Sequence, residues 1–201
     1  MLKIDRPYRF TKDEWLHVKN ILIPYIRQYG GKKAWEKKDN ATLALKNTIS
    51  NYTILKQKNK CVYCEDLITF GAQLDHIAPK QQYPDYCYEP KNLVTSCPIC
   101  NMYIKNADDP IVVHNPQRYE LNIFQIVHPY FNDPEQHIKY INGDRVILDT
   151  NHCSTIGKAT ITMFKLDSYP AYCKRAINYG DLSKYPVDFK RLARECSSYR
   201  P

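Results

Sequence analysis

Apolar residues recur every three or four positions in the first part of the chain, which predicts amphipathic helices. The apolar positions of the first predicted helix are Trp15, Val18, Ile21, Leu22 and Tyr25. Thr11 and Glu14 have the spacing of a capping box at its start, and the pair Gly30 and Gly31 predicts its end. A second helix is predicted over residues 42–57. The N-terminal segment, residues 1–58, is therefore expected to be helical.

A different pattern covers residues 59–108. Short apolar runs at 67–70 and 72–74 flank Gly71 and predict a tight hairpin. A polar loop with proline and tyrosine residues follows at 80–91. Strand-like residues at 92–94 and a helix-compatible stretch at 99–106 complete this segment. We expect it to form a small unit of its own between two helical flanks.

The remaining residues, 109–201, mix turn formers with strands and helices. Asn142 and Gly143 separate two alternating runs, 138–142 and 145–148, which is a strong hairpin pattern. Helices are predicted at 155–164, 172–179 and 187–197. The whole chain is therefore predicted to be an α+β protein with a C-terminal α+β extension packed on the central segment.

Composition and charge restrict the class of protein. The 201 residues are 43% hydrophobic and 25% charged, which is ordinary for a soluble globular chain. No apolar run approaches the roughly 18 residues that a membrane span needs, and the first residues lack a signal-peptide stretch. We expect a cytoplasmic protein that does not act at a membrane.

The formal net charge of +8 makes a nucleic-acid partner plausible. Many lysines lie around the two N-terminal helices: Lys32, Lys33, Lys37, Lys38, Lys56, Lys58 and Lys60. These lysines form either an ordinary solvated face or a surface that faces a polyanion. The sequence leaves both alternatives open.

Four of the eight cysteines form two Cys-x-x-Cys pairs, Cys61 with Cys64 and Cys97 with Cys100. Two such pairs can complete a tetrahedral sulfur shell, so we expect a structural zinc ion, which would not be the catalytic ion because its shell is closed. Redox-active pairs or simply buried thiols are the alternatives, although the βαβ pattern of redox pairs is missing. Four further cysteines are expected to be reduced and partly buried: Cys87, Cys153, Cys173 and Cys196.

Polar residues typical of catalysis lie between and beside these pairs. Asp75 and His76 stand in the stretch LDHIAPK, Asn92 precedes the second pair, and Asn101 directly follows Cys100. The order Cys-x-x-Cys, Asp-His, Asn-Leu, Cys-x-x-Cys-Asn, with a lysine four residues further on, resembles the HNH nuclease family. The resemblance covers about residues 59–108. It implies a ββα-metal nuclease core with structural zinc, flanked by N- and C-terminal helices.

The resemblance also implies a role for each residue. His76 would be the general base that takes a proton from water, since a neutral imidazole suits that task near pH 7. Asp75 and Asn101 would bind the catalytic divalent ion, Mg²⁺ or Mn²⁺, through hard oxygen atoms. Asn92 would brace the loop that carries His76. Lys105 would either contact a phosphate oxygen or remain solvated. Many HNH motifs have a second histidine where Asn101 stands.

Motifs after the central segment look like the HNH subunit of Septu-type anti-phage defence systems. They are the loop at 80–91, the stretch HPYFNDP, the hairpin, and a helix that starts near Ser154. In that family the nuclease works with a partner ATPase, which some retron systems also contain. His128 and His137 either form a second site or belong to a turn-rich loop packed on the core. His114 and His152 are expected to be structural or surface residues.

The predicted function is therefore phosphodiester hydrolysis in nucleic acid, with DNA favoured over RNA or tRNA, within an anti-phage defence complex. A non-catalytic zinc-knuckle module that binds nucleic acid or protein is the alternative. Asp75, His76 and Asn101 favour the enzyme, because a pure binding module does not need them.

Overall fold

The first helical region is built from three consecutive pieces in the computed structural model, which describes residues 1–143 and 145–180. Helix α1 spans Lys12–His17, a π-helical turn spans Val18–Leu22, and helix α2 spans Ile23–Glu36. The backbone and side chains of Thr11 and Glu14 hydrogen-bond reciprocally, which confirms the predicted capping box.

The helix breaks at Gly30, as the glycine pair predicted, and a second short helical segment follows. Gly30 has a φ of 82°, a conformation that glycine adopts without strain, and the chain is helical again up to Glu36. Helix α3, Asn40–Lys56, begins at the cap residue Asp39 and confirms the second predicted helix. The N-terminal helices bury one core together with residues from the central segment: Val18, Leu22, Ile26, Ala34, Leu45, Ile49, Cys87, Tyr88 and Leu93.

The predicted hairpin around Gly71 is wrong. Strand β1, Gln73–His76, pairs instead with the antiparallel strand β2, Leu93–Ser96, so that Gln73 lies opposite Ser96. Residues 59–70 pair among themselves instead, through an isolated bridge between Lys60 and Leu67 and a backbone hydrogen bond from Ile68 N to Asn59 O. Leu67 and Phe70 remain 60% and 91% exposed, whereas all four residues of β2 are buried. The buried strand offers β1 the larger gain from pairing.

A helix directly follows the strand pair. It spans Ile99–Lys105 in π-helical form and agrees with the helix predicted there. The 16-residue connection 77–92 between the strands contains short 3₁₀ turns at Pro84–Tyr86 and Pro90–Asn92. The central segment is therefore a strand, a long loop, a second strand and a helix, which is the ββα order.

The C-terminal part adds a second small sheet and further helices. Strands β3, Ile111–Val113, and β4, Ile123–Phe124, pair antiparallel on either side of a 3₁₀ turn at Tyr119–Leu121. The helices are α4 at Pro134–His137, α5 at Thr155–Met163 and α6 at Tyr169–Tyr179. The last two confirm the helices predicted at 155–164 and 172–179. The predicted helix at 187–197 and Cys196 lie outside the described residues.

The hairpin predicted around Asn142 and Gly143 is present only in reduced form. Tyr140 and Leu148 make an isolated antiparallel bridge, and residues Ile141–Gly143 form a 3₁₀ turn in place of a regular strand end. Two further backbone hydrogen bonds, from Ile141 N to Ile147 O and from Asp149 N to Lys139 O, both at 2.8 Å, join the two runs. The 3₁₀ turn lies where the sequence predicted the turn of the hairpin, and the flanking runs pair through a bridge in place of regular strands.

All three parts of the chain contribute to a second core. It contains Ile4, Val62, Tyr63, Ile77, Val94, Ile126, Val127, Ile161 and Phe164. The mixture of helices with small antiparallel sheets confirms the predicted α+β class. Among the helices of residues 1–143 and 145–180, none combines the length and the apolar character needed to cross a bilayer.

Candidate active site and metal centre

The four cysteines of the two Cys-x-x-Cys pairs form one cluster. The sulfur atoms of Cys61, Cys64, Cys97 and Cys100 all lie within 4.8 Å of one another, and Cys64 Sγ is 3.9 Å from Cys97 Sγ. A tetrahedral shell with Zn–S bonds of about 2.3 Å has sulfur atoms about 3.8 Å apart. The predicted four-cysteine cluster is confirmed, and its geometry and soft donors are compatible with zinc.

The thiols of this cluster influence one another strongly. Hydrogen bonds, first from Cys100 and then from Cys61 and Cys64, hold the pKa of the Cys97 thiol far below its usual range. Hydrogen bonds with Cys100, Cys61 and Cys97 raise the pKa of the Cys64 thiol. A bound dication would replace the protons of these thiols. The other described cysteines, Cys87, Cys153 and Cys173, are buried and free of disulfides, as predicted.

Asp75 is buried on β1 and its two oxygen atoms have different partners. The Tyr63 hydroxyl donates to Oδ2 at 2.6 Å, and the Lys105 ammonium lies 3.4 Å from Oδ1. Burial and the charge of Asp75 raise the pKa of Tyr63 well above 10, so the hydroxyl remains a donor. Tyr63 lies between Cys61 and Cys64. Its hydrogen bond therefore connects the Asp75 carboxylate to the turn that contains the first cysteine pair.

Lys105 is also an internal residue, with only 1% of its surface exposed. Its Nζ donates to the backbone oxygen of His76 at 2.8 Å and pairs with Asp75. The alternative that Lys105 is solvated is wrong, because a carbonyl and a carboxylate hold the ammonium inside the protein. The sequence placed Lys105 one turn beyond Asn101 but did not indicate its burial.

His76 follows Asp75 at the end of β1, and successive strand residues point to opposite faces. Its Nε2 lies 3.0 Å from the carbonyl oxygen of Cys87. Since a carbonyl can only accept, Nε2 carries the proton and the lone pair of the neutral ring is on Nδ1. The Trp35 ring meets the imidazole edge to face, with centroids 4.4 Å apart.

The imidazole is held in its neutral form. Burial, together with the nearby charges of Lys80 and Lys105, lowers the pKa of His76 to about 3 against the opposing hydrogen bond to Cys87. A neutral ring is the form that can accept a proton. The site therefore contains an imidazole of fixed tautomer and, on the opposite face of the same strand, a buried carboxylate.

Asn92 closes the long loop between the strands. Its Oδ1 accepts from Ala78 N at 2.7 Å, and its Nδ2 donates to Ala78 O and to Tyr86 O, both at 3.0 Å. The side chain is fully buried. These bonds connect the residues after His76 to the far side of the loop, the arrangement that we expected of a loop brace.

Two residues beyond the central segment extend this arrangement. The Tyr119 hydroxyl lies 3.0 Å from Asn92 Oδ1 and 3.0 Å from His128 Nε2. His128 Nδ1 accepts from Tyr130 N at 3.3 Å, so its Nε2 carries the proton and donates to the tyrosine oxygen. Tyr119 in turn donates to Asn92. Tyr119 was missed in the sequence, where no motif marks it.

The remaining histidines lie elsewhere and do not extend this network. His137 Nδ1 lies 2.9 Å from the Ser154 hydroxyl at the start of α5. His114 packs against tyrosine rings, and the exposed His152 pairs with Asp149. The structure thus separates His128 from His137, and the turn-rich packed loop describes both better than a second site.

Asn101 lies on the Asp75 side of β1. Its Nδ2 donates to Oε1 of Gln73 at 2.8 Å, and Gln73 and Asp75 alternate onto the same face of the strand. The Asn101 amide oxygen is not used in that bond. The donor chemistry of Asp75 and Asn101, hard oxygen atoms on one face, fits a divalent ion such as Mg²⁺. Because Lys105 already offsets the Asp75 charge, binding strength would depend on further oxygen ligands.

A ββα unit with a four-cysteine cluster and an Asp-His pair on its first strand is the architecture of a metal-containing nuclease domain. Residues 61–106 match the family model described as HNH endonuclease. The matched stretch contains the four clustered cysteines and all five candidate residues of the site. Residues 61–106 are therefore similar to an HNH endonuclease domain, and members of that family are nucleases, which are hydrolases. No curated protein matches the chain.

Proposed function

We propose that the protein is a metal-dependent endonuclease that hydrolyses phosphodiester bonds in nucleic acid, with DNA favoured over RNA. The observation that carries the proposal is the fixed, neutral imidazole of His76 beside the buried Asp75, within the stretch that matches the HNH family. Phosphodiester hydrolysis needs a proton acceptor for the attacking water and a means of offsetting phosphate charge.

In this proposal each residue has a separate task. His76 accepts the water proton at Nδ1, while its Nε2–H stays bonded to the Cys87 carbonyl. Asp75 and Asn101 hold the divalent ion, Mg²⁺ or Mn²⁺, which when bound offsets the negative charge of the phosphate. Asn92 positions His76 by fixing the loop that follows it.

Lys105 has a task that follows from its burial. Its ammonium bonds the His76 carbonyl and the Asp75 carboxylate, so it holds the two adjacent residues in one orientation. Direct contact between Lys105 and a substrate phosphate remains a prediction. Such a contact requires the ammonium to break its bond with Asp75 or with the His76 carbonyl.

Plasmid nicking by the purified, zinc-loaded chain tests the proposal. Activity should require added Mg²⁺ or Mn²⁺ and should be lost in His76→Ala, with zinc content and cooperative unfolding retained, while the lost contacts with Trp35 and Cys87 lower the thermal midpoint. Asp75→Ala should lose binding of the divalent ion, which calorimetry measures. His152→Ala, at an exposed histidine, is the matched control. Full activity in His76→Ala would remove His76 from its role as the base.

The choice between DNA and RNA needs the same protein on both substrates. A labelled duplex and a tRNA should be cleaved at different rates, with the duplex faster. A faster rate on tRNA would reverse this part of the proposal.

We further propose that the nuclease is the effector of an anti-phage defence complex with an ATPase partner. The support is the resemblance of the loop at 80–91 and of the stretch HPYFNDP to Septu-type subunits. Co-purification with the product of a neighbouring ATPase gene, and loss of phage protection in His76→Ala cells, are the expected results. Protection that persists in that variant would contradict an effector role for cleavage.

One observation favours the non-catalytic alternative, a zinc-knuckle binding module. Both oxygen atoms of Asp75 already have internal partners, Tyr63 and Lys105. A binding module should retain nucleic-acid binding while showing neither cleavage nor affinity for Mn²⁺. Calorimetric titration with Mn²⁺ in the presence of a duplex distinguishes the two.

A further inference from the structure

The helical segment after Gly30, residues 31–36, packs directly on the loop 77–92 that follows His76. A Cβ atom at Gly31 would lie 2.2 Å from the backbone oxygen of Lys80 and 3.0 Å from Cα of Pro84, so only glycine permits this approach. The Cys87 thiol donates to Gly31 O at 3.4 Å, adding a polar contact. Backbone packing therefore fixes the start of the segment against the loop.

The far end of this segment reaches the histidine itself. The Trp35 ring contacts the His76 imidazole, and the Tyr88 hydroxyl donates to Ala34 O at 3.0 Å. Lys46 donates to Trp35 O at 2.8 Å and places its ammonium 5.4 Å from the centre of the Trp35 ring. The segment is thus a wall of the site, lying outside the stretch that matches the HNH family.

The outer face of the wall is rich in cations. Lys32, Lys33 and Lys38 are exposed, and within residues 1–143 and 145–180 no carboxylate forms an ion pair with any of them. Lys37 differs, because it pairs with Asp39 at 2.6 Å. Glu36 offsets one charge on the same segment. The net result is unneutralised positive charge on the element that touches His76.

Lys80 adds a further cation from the loop side. Its backbone oxygen is the atom that a Cβ at Gly31 would meet, so Lys80 lies where the wall packs on the loop. The positive groups are therefore placed around the histidine from two elements, the wall and the loop.

We propose that Lys32 and Lys33 bind the phosphates that flank the scissile bond of a nucleic-acid substrate. This inference rests on the proposed nuclease function and names the part of the chain that binds the substrate backbone. Ammonium groups act on phosphate as flexible point charges and read no base sequence. The wall therefore contributes affinity for the nucleic-acid backbone and positions that backbone. It does not select the base sequence at which the strand is cut.

Salt-dependent binding tests the inference. Fluorescence anisotropy measures the Kd of the full zinc-loaded chain for a labelled duplex, without added divalent ion, over a range of salt concentrations. Each neutralised phosphate contributes a slope of about 0.9 in the logarithmic plot, so Lys32→Gln/Lys33→Gln should lower the slope by about 2. KM for cleavage should rise several-fold, with kcat retained within about twofold.

The matched control is Lys158→Gln/Lys165→Gln, which removes the same charge from exposed positions on and just after α5. Its salt slope should stay close to that of the unmodified chain. Equal slopes for the two double variants would overturn the inference. Thermal midpoints and zinc content of both variants should match the parent, because the lysines are exposed.

Two further outcomes separate the inference from the proposed function. Cleavage by the parent chain, combined with unchanged KM and slope in Lys32→Gln/Lys33→Gln, defeats the inference and leaves the nuclease intact. A parent chain that neither binds nor cleaves the duplex defeats both. Poly-glutamate that binds as tightly as the duplex would assign the surface to an acidic protein and overturn the inference.

Discussion

The Tyr119 hydroxyl donates a 3.0 Å hydrogen bond to Asn92 Oδ1, with the His128 imidazole 3.0 Å behind the tyrosine oxygen. This bond joins the C-terminal extension to the brace of the loop that carries His76. The Asn92 side chain also bonds the backbone N–H and the carbonyl oxygen of Ala78, two residues beyond His76. The extension is therefore part of the support of the site.

Tyr119→Phe should reduce the unfolding free energy by about 1–2 kcal/mol. The variant keeps the ring but leaves the His128 N–H without its acceptor and removes one bond from Asn92. We expect a lower kcat with little change in KM, because the loop after His76 loses part of its fixation. Urea unfolding and cleavage kinetics measure the two effects.

Tyr86→Phe is the control for this change. The Tyr86 hydroxyl is also inside the protein but bonds Asn115 O and the Asn122 side chain, without contact to Asn92 Oδ1. It should cost similar stability while kcat stays near the parent value. An equal fall of kcat in both variants would show that the Tyr119 bond has no special effect on the site.

The buried pair of Lys105 and Asp75 should contribute strongly to stability. Lys105→Met leaves a buried carboxylate without its cation, and we expect a loss of about 3–5 kcal/mol. In a double-mutant cycle with Asp75→Asn, the coupling free energy should exceed about 1 kcal/mol. Chemical denaturation of the four chains provides the measurement.

The exposed pair of Lys174 and Asp66, 2.7 Å apart, offers a comparison. Lys174→Met should cost about 1 kcal/mol or less, because water screens a surface ion pair. Additive effects of Lys105→Met and Asp75→Asn, with no coupling, would contradict the internal ion pair.

Zinc should be required for the fold of the central segment. The Cys97→Ser variant should lose most of the bound zinc. It should also lose most of the cooperativity of its unfolding, because the binding free energy of a structural zinc site contributes to folding. Metal analysis and circular dichroism measure these two losses. Cys173→Ser, at a buried cysteine outside the cluster, should keep its zinc. Full zinc content in Cys97→Ser would exclude the four-thiolate site.

His128 should make stability depend on pH. Burial lowers the pKa of His128 to about 3, whereas an unfolded histidine titrates near 6.5. Between these values only the unfolded chain takes the proton, so the contribution is fully present above pH 6.5 and is lost as pH falls toward 3. The ring contacts Tyr119, Phe124 and Phe131, none of which is charged.

His128→Gln removes this titration. The stability advantage of the parent over the variant should therefore shrink by about 1 kcal/mol between pH 7 and pH 5.5. Urea unfolding at the two pH values is the measurement. His152→Gln serves as the control, because the His152 ring is exposed in the folded chain. An advantage of equal size at both pH values would mean that folding does not keep His128 neutral.

Local features of the fold could be read from the sequence. The capping box at Thr11 and Glu14 and the apolar period of α3 depend on neighbours within one or two helical turns, so they predicted helices correctly. The four-cysteine cluster followed from spacing alone, because two Cys-x-x-Cys pairs have few other uses. The fold class followed from these elements.

Features that depend on distant residues could not be read in the same way. The partner of β1 was misplaced, since exposure of Phe70 and burial of β2 are decided by packing of the whole chain. The interior position of Lys105 and the Tyr119 bond to Asn92 depend likewise on tertiary contacts. The roles of His76 and Asn101 remain predictions, which the experiments above test.

Tyr63 connects the cysteine cluster to Asp75 of the candidate active site, and zinc content and activity are usually assayed separately. It lies between two cysteines of the metal cluster, donates to Asp75, and stacks on Phe164 with ring centroids 3.9 Å apart. Oxidation of a neighbouring thiol would therefore shift the carboxylate by way of a single side chain. A preparation with partial zinc content should accordingly be treated as a mixture of chains with ordered and disordered reaction centres, and specific activities should be normalised to zinc instead of protein.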